Sequence, residues 1–168
     1  WKGQLLRTLY YECEPVLTGG HSLLPHDMRV EAAKRELAET LGAWNRDELA
    51  AYLERHYPAY WLRVPLERKI ADAEMIRAAD QAKTGFSSRV VTHAFEGVTE
   101  ITVLAADHPR LLSTIAGACF VAGANIVDAQ IDTPTDGFAL DTIYISRELP
   151  GDDDEIRRGE RVCRLIEK

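Results

Sequence analysis

The residues best suited to binding a ligand form a short charged turn, Asp107–Arg110. The turn lies between a predicted strand and a predicted helix, where backbone N–H groups lack acceptors and the helix dipole attracts negative charge. The turn therefore favours an anionic group such as a carboxylate. Capping of the helix by Asp107 or His108 explains the turn alone equally well. With the start of the strand that follows the helix, the candidate ligand-binding residues are Asp107, His108, Pro109, Arg110, Leu111, Asn125 and Ile126.

For the other reactive side chains, the sequence favours structural roles. The chain has no Gly-x-Ser-x-Gly motif, no phosphate-binding glycine loop and no His/Cys cluster with metal spacing, so no catalytic residue and no metal site are predicted. We expect His26-Asp27 to cap a helix, and His21, His56 and His93 to pack or lie on the surface. Asp141 has the strand parity of Ile143 and Ile145, and a partnered inward carboxylate is favoured over a binding role.

Composition excludes several classes of protein. The 168 residues carry a formal net charge of -7 and no dense Lys/Arg run, which argues against nucleic acid as a partner. No apolar run approaches the length of a membrane span, so no membrane association is expected. Cys13, Cys119 and Cys163 are far apart and odd in number, as expected of reduced cytoplasmic thiols. The start lacks Met and a signal-peptide pattern, so we expect a piece of a longer protein.

The first half of the chain is predicted to be helical. Tyr57–Leu62 is aromatic and broken by proline, which predicts a corner between helices packed on a core. Asn45 and Glu48 resemble a capping box, and Gly85 is expected to end the last helix. The predicted helices span about Leu5–Cys13, Asp27–Leu41, Asn45–His56 and Pro65–Lys83.

The second half alternates strands and helices. Two strands on either side of Glu96-Gly97 are followed by a helix from Pro109 to Gly123, a strand with Val127, Ala129 and Ile131 on one face, a hairpin strand Leu140–Arg147, and a last helix after Gly151. In the second strand, Thr99, Ile101, Val103 and Ala105 share one face. The order β-β-α-β-β-α predicts an α+β fold with two helices on one face of an antiparallel sheet.

These motifs resemble a known family of regulatory modules. The Asp107–Leu112 turn, the Gly123–Ala129 strand start and the Thr135–Gly137 hairpin are similar to an ACT domain, a ferredoxin-like amino-acid-sensing module. The runs Ile101–Ile131 and Thr135–Glu148 more narrowly resemble the first of two ACT domains in the bacterial bifunctional protein-PII uridylyltransferase family. Residues 1–12 resemble the end of that family's HD hydrolase domain, and residues 57–63 resemble its connecting region.

The resemblance implies three parts and a regulatory function. These are the end of an HD-type domain (1–18), a helical connector (19–85) and an ACT domain (86–168). The family uridylylates the signalling protein PII when glutamine is low and removes uridylyl groups when glutamine is high, using magnesium, so glutamine is the implied effector and nitrogen regulation the implied process. No catalytic motif of the family falls on this chain, and no cofactor is implied for the fragment itself.

Two departures from a generic ACT domain concern the site and the sheet. Many ligand-binding ACT domains have glycine where this chain has Arg110, and the arginine either fills the pocket or offers its guanidinium to a carboxylate. The usual last strand is missing, so we predict that Ser88–Phe95 occupies the vacant sheet edge.

Two other classes of function are alternatives to amino-acid sensing. A ligand-free ACT module that serves dimerisation or contacts between domains is the alternative, since sheet edges and helix faces build symmetric dimers. An autonomous small enzyme has little support.

Overall fold

The protein is represented by a computed structural model in which residues 25–168 are described. The predicted helix Leu5–Cys13, the predicted HD-type segment 1–18, Gly19-Gly20 and His21 lie outside the described residues. Within the described range, the helices are α1 His26–Thr40, α2 Arg46–Arg55, α3 Pro58–Arg63, α4 Leu66–Ala82, α5 Leu111–Val121 and α6 Asp152–Ile166. The strands are β1 Phe86–His93, β2 Val98–Ala106, β3 Ile126–Asp132 and β4 Phe138–Ser146.

The four strands form an antiparallel sheet in the order β1-β2-β4-β3, as the α+β prediction requires. β1 pairs along β2 from Phe86 opposite Ala105 to His93 opposite Val98, so it occupies the sheet edge as predicted. The strand ends at His93 rather than Phe95, whose side chain is 99% exposed in the turn. The arrangement fits a ferredoxin-like ACT fold, with a β-β-α-β-β-α order in the chain.

One face of the sheet packs against α5 and α6. Ile101, Val103 and Ala105 of β2 belong to this core with Ile143 and Ile145 of β4, which confirms the predicted shared face. Ile115 of α5 and Val162 of α6 cover them. Alternation along each strand sends successive side chains to opposite faces, so this core takes every second residue.

The opposite face of the sheet is covered by the helical segment α1–α4. Leu104 of β2 and Leu140 of β4 share a second core with Leu37, Trp61 and Ile76 of the helices. The first eight residues of β2 are consequently all buried. The β-β-α-β-β-α order predicts helices on one face of the sheet. It does not predict this second layer, because the helices that form it precede the sheet in the chain.

An aromatic cluster joins α2 to α3. Tyr57–Leu62 was expected to be a corner packed on a core, and most of it forms the short helix α3 with Tyr60 and Trp61 buried. The Trp61 indole N–H donates to the His56 carbonyl at 3.2 Å, and the His56 ring stacks on Tyr60 at 3.9 Å between centroids. Burial lowers the pKa of His56 to about 4, so this histidine is a neutral packing residue.

Several local predictions are wrong in detail. The N-cap of α1 is Pro25, without a side-chain cap, so His26-Asp27 does not cap the helix. Asn45 does cap α2, accepting from the Asp47 N–H at 2.8 Å. Helix α4 ends at Ala82, and its C-cap residue Lys83 takes the left-handed conformation, so the helix stops before Gly85. Helix α5 begins at Leu111, two residues after Pro109.

Strand β3 is less buried than its alternation predicts. Ile131 is 43% exposed and Ala129 is also exposed, since β3 is an edge strand beyond the cover of α5 and α6. An irregularity between Ile126 and Asp128 leaves Val127 out of the pairing with β4.

Helix α6 approaches β1 most closely at Gly159. A Cβ on this residue would lie 2.5 Å from Val90 Cγ1, so Gly159→Ala is expected to lower the free energy of unfolding by about 1–3 kcal/mol, although alanine favours helices by about 1 kcal/mol. Urea denaturation measures the change, and Val90→Ala in the same chain should recover part of it. Gly117→Ala in α5, whose Cβ meets nothing within 4 Å, is the matched control and should stabilise. Equal stabilisation by both substitutions would contradict a close contact at Gly159.

Candidate ligand site

The charged turn lies at the end of the sheet where β2 finishes and β4 begins. The Asp107 N–H donates to the Gly137 carbonyl at 2.9 Å, which ties the turn to the β3–β4 hairpin. Residues 107–110 are exposed, while Leu111 is buried in the core under α5. The structure thus brings five of the seven candidate residues together, Asp107, His108, Pro109, Arg110 and Leu111.

No side chain caps the helix that follows the turn. Arg110 is the N-cap residue, and its own N–H meets His108 Nδ1 at 3.3 Å. The Ser113 hydroxyl donates to the Arg110 carbonyl at 2.8 Å and so occupies no helical N–H group. The interpretation that Asp107 or His108 caps α5 is therefore wrong. The helix N-terminus keeps the partial positive charge that favours an anion.

Arg110 does not fill a cavity beneath the turn. The residue is exposed, and its guanidinium makes no ion pair with any residue in the range 25–168. Of the two roles considered for this arginine, the geometry leaves the guanidinium available to a carboxylate.

Asn125 and Ile126 lie at the opposite end of the sheet from the turn. The Ser146 N–H donates to the Asn125 carbonyl at 2.8 Å, and Ile126 is opposite Ile145 near the end of β4. These residues open the strand that follows α5, as predicted, but β4 lies between that strand and β2. Helix α5 returns the chain to the starting end of β2, so a single copy does not place Asn125 at the turn.

Asp141 lies at the same end of the sheet as the turn. It faces inward as its parity predicts and is 2% exposed, opposite Val103 and Ile131 on the neighbouring strands. The prediction that its carboxylate is partnered is wrong in part, because Oδ1 has no hydrogen-bond partner within the described chain. Burial, assisted by the charges of Asp107 and Asp132, raises the pKa of Asp141 to about 6.

Comparison with known proteins shows that the chain is similar to one segment of a larger enzyme. No family model matches it. It is 57% identical over all 168 residues to a bifunctional uridylyltransferase/uridylyl-removing enzyme of Nitrobacter winogradskyi, and 57% identical over 167 residues to one of Bradyrhizobium diazoefficiens. A homologous enzyme of Rhodopseudomonas palustris is 55% identical over the whole chain. The chain matches a segment of the bifunctional uridylyltransferase/uridylyl-removing enzymes. It spans 18% of the length of each of these relatives.

Buried charges join the helical layer to the sheet. The Arg89 guanidinium of β1 donates to Asp72 of α4 at 3.1 Å, to Thr102 at 3.2 Å and to Glu100 of β2 at 3.4 Å. Arg68 of α4 reaches Tyr144 and Gln130 on the same face. Sequence reasoning missed this group because Glu100 and Thr102 occupy strand positions that alternation assigns to solvent.

The β3–β4 hairpin is also attached to the helical layer. The Thr135 N–H donates to the Arg55 carbonyl at 2.9 Å, and the Arg55 side chain contacts Asp136 and Asp80. Arg63 of α3 pairs with Asp132 at 2.6 Å. Because the Gly137 carbonyl accepts from the Asp107 N–H, the hairpin connects the candidate turn to the helical layer.

A separate groove lies away from the turn. It has a volume of about 410 Å³ and runs between α2, α4 and the hairpin tip. Its charged side chains pair with one another, Arg55 with Asp80 and Asp136, and Arg77 with Glu48. The groove therefore presents no free charged group that would select a ligand.

Metal binding and membrane spanning find no support in the described range. Within residues 25–168 there is no group of three or more His, Cys, Asp or Glu side chains placed to hold a metal ion. No helix of that range is both long and apolar enough to cross a membrane. Cys119 and Cys163 are free and buried, and burial raises the pKa of Cys119 to about 11.

Proposed function

We propose that this chain is a glutamine-responsive regulatory segment of a bifunctional uridylyltransferase/uridylyl-removing enzyme. Its ACT module contributes to control of PII uridylylation in nitrogen regulation. The observation that carries the proposal is 57% identity, over the whole chain, to one segment of such enzymes. The exposed, uncapped turn before α5 supplies the place for an effector.

The effector is proposed to bind by its carboxylate. First-turn N–H groups of α5 and the free Arg110 guanidinium both attract an anion at this end of the sheet. Uridylyl transfer and removal, with their magnesium and their contact with PII, belong in this proposal to other segments of the enzyme in the cytoplasm. The chain itself contributes no catalytic residue.

Calorimetric titration of the 168-residue chain with L-glutamine tests the proposal. Saturable heat is expected for the wild type, and Arg110→Ala is expected to weaken binding by about tenfold or more, because it removes the guanidinium proposed to hold the carboxylate. Asp153→Ala on the exposed start of α6 is the matched control and should bind as the wild type does. Absence of heat with the wild type would contradict glutamine sensing by this module.

The alternative is a ligand-free module that pairs with another ACT domain. Its support is an apolar surface on α5 and the neighbouring edge strand, where Leu112, Phe120, Val121, Ile126 and Ile131 are 37–85% exposed. An exposed edge strand with apolar side chains favours pairing with a second chain. A stable dimer in sedimentation, without glutamine heat, would favour this alternative.

Pairing and sensing are compatible in one geometry. Antiparallel pairing of two β3 strands would set the start of one β3 beside the end of the other. Asn125 of one copy would then lie at the end of the sheet that carries the Asp107–Arg110 turn of its partner. Loss of glutamine binding on dilution to monomer, or in Asn125→Ala, is expected if the site is shared.

A further inference from the structure

Asp141 is a buried carboxylate without a counter-charge. Asp141 is 2% exposed, and no basic side chain among residues 25–168 is one of the groups that shift its pKa. Its Oδ1 has no hydrogen-bond partner among the described residues. Leaving a buried charged oxygen unsatisfied is costly, so such a group in a folded protein calls for an explanation.

Other buried carboxylates of this fold have cationic partners. Asp72 accepts from the Arg89 guanidinium and from the Tyr60 hydroxyl. Glu155 accepts from two backbone N–H groups and from Arg158. The absence of an equivalent partner is therefore particular to Asp141 among these three, and it occurs at the end of the sheet where the candidate turn lies.

Two opposite electrostatic features lie together at that end. Asp141 is on the α5/α6 face of β4, the same face as Val103, which is three residues before the end of β2. The chain leaves β2 into the exposed turn and enters the uncapped N-terminus of α5. The buried carboxylate and the positive helix end thus lie at the same end of the sheet, and Asp141 is near enough to the turn for the charge of Asp107 to raise its pKa. An α-amino acid carries an ammonium and a carboxylate on one carbon and matches both.

We propose that Asp141 accepts the ammonium group of an α-amino acid whose carboxylate lies at the N-terminus of α5. The inference rests on the proposed function and adds the residue that selects amino acids over simple carboxylic acids. Access requires movement of the turn. The side chains of Asp107 and Arg110 make no hydrogen bond to described residues, so the backbone bond from the Asp107 N–H to the Gly137 carbonyl is the main contact that this movement must break.

The test compares L-glutamine with 4-carbamoylbutanoate, which has the same carboxylate and amide but lacks the ammonium. By calorimetry, the wild-type chain should bind glutamine about 30-fold or more tightly than the analogue, because the analogue leaves Asp141 buried and unpaired. Asp141→Asn should weaken glutamine binding by a similar factor while changing affinity for the analogue less than about threefold. Asp128→Asn, on the exposed strand β3, is the matched control and should keep the wild-type preference.

A further readout does not depend on binding. Removing an unpartnered buried charge is expected to raise the midpoint of thermal unfolding of Asp141→Asn without ligand. Equal affinity of the wild type for the two ligands, or full preference retained in Asp141→Asn, overturns the role of Asp141 while glutamine sensing stands. If the wild type binds neither ligand, the proposed function fails and this inference fails with it. The wild-type comparison needs no variant and decides the matter even if Asp141→Asn does not fold.

Discussion

Arg89→Met is expected to lower the free energy of unfolding by about 3–5 kcal/mol, measured by urea denaturation at pH 7. The guanidinium of Arg89, on β1, forms ion pairs with Asp72 of α4 and with Glu100 of β2, and so links the three elements. Methionine fills a similar volume but leaves these two carboxylates, which are 2% and 10% exposed, without that partner. An uncompensated buried charge is the main cost.

The pH dependence of this loss has a definite sign. Burial raises the pKa of Asp72 to about 6, although Arg89 and Arg68 oppose the shift. A raised folded-state pKa means that ionisation destabilises the fold, so stability from this group falls as the pH rises from about 4 to 6. Without Arg89 the carboxylate ionises less readily, and the penalty of Arg89→Met should be larger at pH 7 than at pH 5.

Two further variants distinguish this explanation from simple loss of packing. Asp72→Asn in the Arg89→Met chain removes one unpaired charge and should recover part of the lost stability, a coupling that a packing defect would not show. Arg157→Met on α6, where the arginine side chain is 72% exposed, is the matched control and should change stability by less than about 0.5 kcal/mol. A penalty for Arg89→Met no larger than that of the control would contradict a structural role for the network.

Glu155→Ala is expected to cost a similar amount, about 3–5 kcal/mol, for a different reason. Glu155 is fully buried in the first turn of α6, and its carboxylate accepts from the N–H groups of Glu148 and Leu149 at 2.7 Å each. It also accepts from the Thr99 hydroxyl at 3.0 Å and contacts Arg158. Alanine removes the carboxylate, so these donors lose their acceptor. The segment between β4 and α6 then loses its hydrogen bonds to the helix.

The pKa of Glu155 predicts how the loss varies with pH. Desolvation alone would raise it, but the two backbone N–H groups, the Thr99 hydroxyl and the Arg158 guanidinium together hold it below the ordinary value of 4.5. Stability from a lowered carboxylate pKa is present above that value and disappears as the pH falls through the folded-state pKa. The difference in unfolding free energy between the wild type and Glu155→Gln should therefore shrink below about pH 4.5.

A control on the same helix completes this prediction. Glu160→Ala removes a side chain that is 52% exposed and whose pairing with Arg164 spans 3.7 Å, so it should change stability by less than about 0.5 kcal/mol. Urea denaturation of the wild type and of the Glu155→Ala, Glu155→Gln and Glu160→Ala variants at pH 7 and pH 4 gives the full comparison. Equal effects of Glu155→Ala and Glu160→Ala would contradict the satisfied buried carboxylate.

Backbone contacts between the turn and the helical layer bear on how the proposed effector signal would pass through this chain. The turn, the hairpin and the helical layer are joined by successive contacts, from Asp107 to Gly137 and from Thr135 to Arg55. A ligand that moves the turn would act on the hairpin first and on α2 next. This sequence of contacts follows from the hairpin lying between the proposed site and the helices.

Local sequence patterns by themselves determined the elements and the candidate turn. Alternation in β2 correctly assigned Ile101 and Val103 to one core, and the strand before Glu96-Gly97 filled the vacant sheet edge as predicted. These features depend on neighbours within about ten residues in the chain, for which periodicity and turn chemistry carry the information. The parity of Asp141 likewise predicted that its side chain faces inward.

Only the tertiary structure decided which distant groups meet. Glu100 is polar and alternates with core residues, yet it is buried because α4, about thirty residues earlier, packs on the other face of the sheet. Asn125 was grouped with the turn, but β4 separates β3 from β2 and places it at the far end. The lack of a partner for Asp141 Oδ1 among the described residues also depends on distant parts of the chain. Periodicity predicts which way a side chain faces, but not which groups lie around it. Burial and charge pairing depend on contacts between elements, and one sequence pattern is compatible with many such contacts.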